Sequence, residues 1–242
     1  MRSGGCKTFC AYLSACFGNL KILWNAFTNC GVRHDQDISS KDICLDQVQY
    51  AQNLRPIAHP QLSTGQAADL CGPDLHQLYM SLLGAVAYLS HTRVDVAVFV
   101  CALQRHASKP SLEHVRKLNK LLSWVQKHPK KLSYRRLPSA ESNLRIVSDV
   151  AFKKETEDGY SLRGVTYLRG VVHDSFDSKD AKVHVIDWVC KAQRHVCRST
   201  FAAELLGAGD AVDQGILVCR MLYEIQYGAL TATQARERRS SQ

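Results

Sequence analysis

The sequence predicts a mixed α+β fold, in which a region of helices precedes a smaller α/β unit of three strands and a helix. Apolar residues recur at helical spacing between residues 74 and 129, and they alternate as in strands between residues 144 and 190. Helical spacing returns from residue 199 to about residue 226. The chain of 242 residues is long enough for one large domain or two small ones.

The first 60 residues contain few recognisable elements. Residues 1–26 show no start of a helix or strand and are left unassigned. In the segment 27–60 the pattern predicts a strand at 27–33, a second strand at 42–45 and a short helix that opens at Asp46.

Residues 61–138 are predicted to be mainly helical. Leucine and valine residues lie at helical spacing within 74–90, and the stretch 92–107 is apolar on nearly every side, as in a buried helix. A third helix is bounded by Pro110 and Pro129, because proline does not fit the interior of a helix.

The third helix carries the strongest charge pattern of the chain. Ser111 is its candidate N-cap, and Arg116, Lys120 and Lys127 fall within about 40° of one another on the face opposite its apolar side chains. Residues 105–136 contain ten Lys or Arg and one acid, a charge of +9 that equals the net charge of the whole chain. Such a field favours nucleic acid as a partner, although a solvated helix face would show the same pattern. The candidate nucleic-acid-binding residues are Arg116, Lys117, Lys120, Lys127, Lys130 and Lys131.

Aromatic residues and histidines accompany this basic segment. Trp124 and Tyr134 are candidates for stacking on bases, although aromatic residues near a helix end more often belong to a core. Neighbouring histidines would add positive charge at acidic pH. These are His91, His106, His114 and His128.

Two carboxylates interrupt apolar patterns in the predicted α/β unit, residues 139–228. Asp149 lies in the middle of the strand "IVSDVAF", and Glu204 lies on the apolar side of the helix that Ser199 opens. If strand and helix bring them together, a divalent cation such as Mg²⁺ or Mn²⁺, or a shared proton, would have to offset their repulsion. The alternative is that each acid lies at an exposed rim, paired with Arg or Lys.

The composition indicates the cellular compartment in which the protein is expected. The ten cysteines include no close-set pair, and this spacing disfavours a zinc site. Their scattered positions predict reduced thiols. Reduced thiols are typical of an intracellular protein, so we expect the cytoplasm or nucleus and not secretion. Since no run of 18 apolar residues occurs, no membrane span is expected. The tail, residues 229–242, is polar and basic and is expected to fray.

Several motifs in order resemble copia-type retrotransposon Pol polyproteins. The stretch "YMSLLGAVAYLSHTRVDVAVFVCALQRHASKPSLEHVRKLNKLLSWVQ" is similar to the thumb of their reverse transcriptases, which carries a Y-x-S-L-x-G block followed by Y-L-x-x-x-R-x-D. Upstream, "GVRHDQDISSKDICLDQVQY" resembles the end of the polymerase palm. Downstream, "SDVAF" and "RSTFAAEL" resemble the first strand and first helix of the ribonuclease H domain. The resemblance covers roughly residues 17–226. It implies the end of a palm at 27–60, a thumb at 61–138 and a partial ribonuclease H-like domain at 139–228.

By this resemblance Asp149 and Glu204 are metal ligands of a hydrolase that uses two ions of Mg²⁺ or Mn²⁺ to cut RNA in RNA–DNA hybrids. The sequence has no Tyr-x-Asp-Asp motif for the polymerase, and after Tyr227 its one acid is Glu237. Because two carboxylates rarely hold two Mg²⁺ ions, the chain is expected to be catalytically silent on its own.

Three hypotheses follow for the function. The first is a fragment of a Pol polyprotein with affinity for nucleic acid. The second is a working metal-dependent nuclease, completed by Asp210 or by another chain. The third is a protein-interaction module whose open sheet edge is covered by a partner chain.

Overall fold

The computed structural model describes residues 3–138, 142–152, 161–171, 182–193 and 195–228, and it has a mixed α/β architecture with two antiparallel sheets. The tail predicted to fray lies outside the described residues. The helices found in the described ranges are α1 (Ser3–Phe17), α2 (Val48–Asn53), α3 (Gln61–Thr64), α4 (Pro73–Tyr88), α5 (Ala97–Gln104), α6 (Leu112–Lys127) and α7 (Thr200–Tyr227). The strands are β1 (Ala26–Asn29), β2 (Val32–Gln36), β3 (Ile43–Asp46), β4 (Leu132–Tyr134), β5 (Ser142–Ala151), β6 (Leu162–Val171) and β7 (Val183–Ala192). Within these ranges, none of the helices has the length and apolar character needed to cross a bilayer.

The first sheet has the strand order β1-β2-β3-β4 and begins with a hairpin. Cys30 and Gly31 connect β1 to β2 with φ angles of 48° and 78°. Two successive positive φ angles are typical of a type I′ turn, whose twist matches that of the flanking strands. The single strand predicted at 27–33 is therefore wrong, because the chain reverses at Gly31.

Two helices also differ from the sequence-based prediction. Residues Ser3–Phe17 form α1, where the sequence shows no helix start. The helix predicted over 92–107 begins only at Ala97, because Arg93 adopts a non-helical backbone (φ −119°, ψ 76°) and a 3-10 turn follows it. The two helices that flank this segment agree better with the pattern.

Helices α4, α5 and α6 enclose the main hydrophobic core. Ser111 lies at the N-cap of α6 with an extended backbone and hydrogen-bonds to His114, so the predicted helix start is confirmed. Tyr79 of α4 donates a hydrogen bond of 2.9 Å to the carbonyl of Leu103 at the end of α5. Burial, assisted by the nearby Cys71, raises the pKa of Tyr79 to about 12, so its hydroxyl stays protonated.

The nearly buried guanidinium group of Arg93 connects the 3-10 turn Val94–Val96 to the end of α6. The Arg93 side chain is 4% exposed, and it donates two hydrogen bonds to Asp95, of 2.9 and 3.1 Å. It also donates to the carbonyl of Val125 and lies 5.3 Å from the ring centre of Trp124. Burial alone would raise the pKa of Asp95, but hydrogen bonds and charges from Arg93 and Lys130 outweigh burial and lower it.

The second sheet has the order β5-β6-β7, and α7 packs on its β5 and β6 strands. The face of α7 against the sheet consists mainly of small residues spaced four apart: Ala203, Gly207, Ala211 and Gly215. A Cβ at Gly207 would lie 2.5 Å from Cγ2 of Val150. A Cβ at Gly215 would overlap Ile146. The small side chains therefore allow a close approach of helix and sheet.

We expect Gly207→Ala to destabilise the protein relative to Gly209→Ala. Both changes favour the helix by up to about 1 kcal/mol, but only Gly207→Ala forces α7 away from β5, at a cost of about 1–3 kcal/mol. Gly209 has no atom within 4 Å of an added Cβ, which makes Gly209→Ala the matched control. Urea denaturation measures both free energies of unfolding, and equal values would contradict the close packing.

We expect Asp95→Asn to lower the free energy of unfolding by about 1–3 kcal/mol at pH 7, because it leaves the guanidinium of Arg93 without its counterion. Folding lowers the pKa of Asp95, so its stabilisation is present above the unfolded pKa of about 3.9 and is lost as the pH falls through the folded value. Urea denaturation at neutral and strongly acidic pH should show this loss. The control is Asp35→Asn in the exposed Arg33–Asp35 pair, which should cost little; equal losses in both variants would refute the expectation.

Candidate functional site

Asp149 lies near the end of β5, opposite Gly164 of β6. Its exposed side chain lines a cavity of about 290 Å³ together with Val147 and Ala151, so the predicted alternation along this strand is confirmed. The opposite wall of the cavity comes from the 3-10 turn and α5, through Val94, Ala97 and Val98. Asp149 thus faces the helical region.

Glu204 lies in the second turn of α7 and is half-buried. Because Ile146 and Val150 of β5 contact α7, the alternating Asp149 points away from this helix. Strand and helix pack together, but they do not bring Asp149 and Glu204 together. Within the described ranges, neither carboxylate has a hydrogen bond or ion pair, and no group of three or more His, Cys, Asp or Glu could hold a metal ion. Their assignment as metal ligands stays a prediction.

Asp210, the acid considered as a third ligand, is engaged elsewhere. It forms an ion pair with Arg163 of β6, whose side chain is 9% exposed. Arg163 lies on the sheet face that α7 covers, beside Tyr167, which donates a hydrogen bond to the carbonyl of Ala211. These two contacts attach the middle of α7 to β6, so the Asp210 carboxylate has a structural partner.

Four of the six candidate nucleic-acid-binding residues have partners within the protein. Arg116 donates to the carbonyls of Leu62 and Gly65, each at 2.9 Å. The three paired lysines are Lys117 with Glu113 at 2.7 Å, Lys130 with Asp95 at 2.9 Å, and Lys131 with Asp46 at 3.7 Å. These contacts neutralise part of the positive field that the sequence predicts.

Lys120 and Lys127 are the other two candidates. Both side chains are exposed on α6, and the described residues offer neither of them an ion pair or a hydrogen bond. They lie seven residues apart, which is two helical turns or about 10 Å along the axis. This pair provides two ammonium groups on one face of α6 for an external anion.

The aromatic residues near the basic helix already have partners. The ring of Trp124 stacks on His128, with 5.1 Å between ring centres, and Arg93 lies over it. Tyr134 donates its hydroxyl to the carbonyl of Val185, and the edge of its ring meets His184. The structure therefore gives both rings contacts within the protein, and their stacking on bases stays a prediction.

Among the histidines near the basic helix, His114 has a pKa that its surroundings lower. His114 stacks on His106, with 4.0 Å between ring centres. Burial lowers the pKa of His114, and the positive charges of His106 and Lys117 lower it further. The imidazole therefore needs a more acidic solution than an ordinary histidine before it adds positive charge to α6.

A cysteine pair that the sequence interpretation missed lies at the junction of the helical region and the second sheet. Cys101 belongs to α5 and Cys190 to β7, two elements that pack together. A hydrogen bond between the two thiols lowers the pKa of Cys101 to about 7 and raises that of Cys190. No spacing along the chain links these two cysteines, so the pair could not be recognised from the sequence.

Comparison with known proteins finds two distant relatives. The chain is 25% identical over 166 residues, 69% of its length, to the retrovirus-related Pol polyprotein from transposon RE1 of Arabidopsis thaliana. It is 25% identical over 174 residues, 71% of its length, to the retrovirus-related Pol polyprotein from transposon RE2 of the same plant. The chain spans only about a tenth of the length of these curated relatives, 10% and 11%.

Other comparisons add no relatives. No protein-family profile matches the chain, and no solved structure matches it. The similarity to the two plant Pol polyproteins covers more than two thirds of the chain, so it is not limited to one short motif. It supports an origin of this chain from a retrotransposon Pol-like protein.

Proposed function

We propose that the chain is a segment of a copia-type retrotransposon Pol polyprotein. It comprises the end of the polymerase palm, the thumb and the first part of a ribonuclease H-like domain, and it binds nucleic acid without sequence specificity. The similarity to two plant Pol polyproteins carries this proposal. The order of elements supports it, since a small sheet and a helical region precede a three-stranded antiparallel sheet and a packed helix.

Lys120 and Lys127 form the proposed contact with nucleic acid. Ammonium groups on one helix face can follow the phosphate backbone of a duplex, and such contacts carry no direct sequence information. The other four candidates are held by carboxylates or carbonyls, so they contribute less to the local field. The partner expected from this surface is an RNA–DNA hybrid or another duplex.

We further propose that this segment does not cleave RNA by itself. A two-metal hydrolase needs several carboxylate oxygens that converge on a pair of Mg²⁺ or Mn²⁺ ions. Asp149 faces the cavity beside α5, whereas Glu204 is carried by the helix on the opposite face of the sheet, and Asp210 is paired with Arg163. This arrangement favours a silent segment over a working ribonuclease H.

Replacing Lys120 and Lys127 together by Glu should abolish most of the affinity for a short RNA–DNA hybrid. If each lysine contacts one phosphate, the slope of log affinity against log salt should fall by about 2 between roughly 50 and 200 mM salt. Fluorescence anisotropy of a labelled hybrid measures both quantities.

The matched control makes the same change at Lys21 and Lys41, which are exposed and lie far along the chain from α6. This double variant has the same net charge as the first, so it separates a local contact from a general loss of positive charge. Equal weakening in both double variants would contradict the proposed surface on α6.

The purified chain should leave a labelled RNA–DNA hybrid intact in the presence of millimolar Mg²⁺ or Mn²⁺. The reason is that the described carboxylates do not converge on a shared ion. Gel analysis of the products, with Asp149→Asn as the control, measures this. Cleavage that disappears in the Asp149→Asn variant would overturn the proposal of a silent segment.

A further inference from the structure

An apolar groove of about 560 Å³ lies between α5 and α6. Phe99 and Ala102 of α5 form one side, and Leu121 and Trp124 of α6 form the other. Phe99 is 54% exposed and Trp124 is 37% exposed, although both lie on helices that pack on the main core. The volume falls within the range of about 300–1,000 Å³ that is typical of ligand sites.

The rim of the groove is basic on one side. Lys117 and Lys120 project from α6 beside its apolar walls. Lys117 is bridged to Glu113, whereas Lys120 has no ion pair with a described residue and supplies the main charge. The surrounding segment 105–136 carries a charge of +9, of which Asp95 and Asp46 offset a part through Lys130 and Lys131, and the remaining positive charge attracts anionic partners from a distance.

We propose that this groove binds an amphipathic helical segment of another protein, whose apolar stripe is flanked by Asp or Glu. The apolar walls fit leucine-like side chains spaced three and four residues apart, as in other complexes of a helix with a groove. Carboxylates beside the stripe would reach Lys120 and Lys117 at the rim. This inference does not depend on the proposed affinity for nucleic acid.

The chemistry of the walls favours a peptide over a nucleic acid. Bases stack on free aromatic faces, but the ring of Trp124 is stacked on His128 and approached by Arg93 and Lys130, which leaves Phe99 as the exposed aromatic ring among the wall residues. The remaining wall residues, such as Phe99 and Leu121, have no charge to offer a phosphate. Covering such an apolar surface is more favourable in free energy for apolar side chains than for charged phosphates.

The test uses three synthetic peptides of about 16 residues, or roughly four helical turns. The first has leucines at helical spacing flanked by glutamates, the second replaces the glutamates by lysines, and the third replaces the leucines by alanines. We expect the first to bind at least about tenfold more tightly than either of the others, which corresponds to about 1.4 kcal/mol. Fluorescence anisotropy of labelled peptides gives the affinities.

Two variants of the full chain test whether the first peptide binds in the groove. Ala102→Phe fills the groove and should weaken binding of the first peptide at least about tenfold. The matched control is Ala208→Phe at an exposed position of α7, which should leave the affinity unchanged. Circular dichroism shows whether each variant is folded, and Lys120→Glu should reverse the preference towards the lysine peptide.

Several results would overturn the proposal. Equal affinity for the three peptides would show that groove chemistry does not select the ligand. Unchanged binding in Ala102→Phe would place the peptide elsewhere. A loss of affinity for a labelled oligonucleotide in Ala102→Phe, with the affinity for the first peptide unchanged, would identify the groove as a site for nucleic acid.

Discussion

The helical part of the molecule depends on the neutralisation of one nearly buried cation, Arg93. Its guanidinium group needs the carboxylate of Asp95, the carbonyl of Val125 and the ring of Trp124, and these three come from two separate elements. Arg93 and Asp95, the charged residues of the Y-L-x-x-x-R-x-D block, therefore serve packing in this structure. Asp95 also binds Lys130, so the same packing removes one lysine from the basic surface.

Local signals predicted the helices well where they were strong. The helix α6 could be located because two prolines bound it, Ser111 caps it and its apolar residues form one stripe. The helix α1 has no such boundary signal. The hairpin around Cys30 was missed because cysteine rarely adopts a positive φ, and the turn could not be recognised from Gly31 alone.

The candidate sites depended on information that sequence patterns do not contain. Alternation correctly grouped Asp149 with Val147 and Ala151, but only tertiary packing decides which sheet face α7 covers. In the same way, Lys130 and Lys131 look free in a basic run, although their counterions lie 35 and 85 residues earlier in the chain. Pairing across such distances cannot be inferred from charge density.

The contact between α7 and the second sheet is made possible by side chains that are very small, at Gly207 and Gly215 above all. Every substitution of a glycine adds atoms, so random change at these two positions can only widen the gap between helix and sheet. Under random substitution, the second sheet and α7 should therefore lose their structure before the leucine-rich helical part, where one apolar residue can replace another.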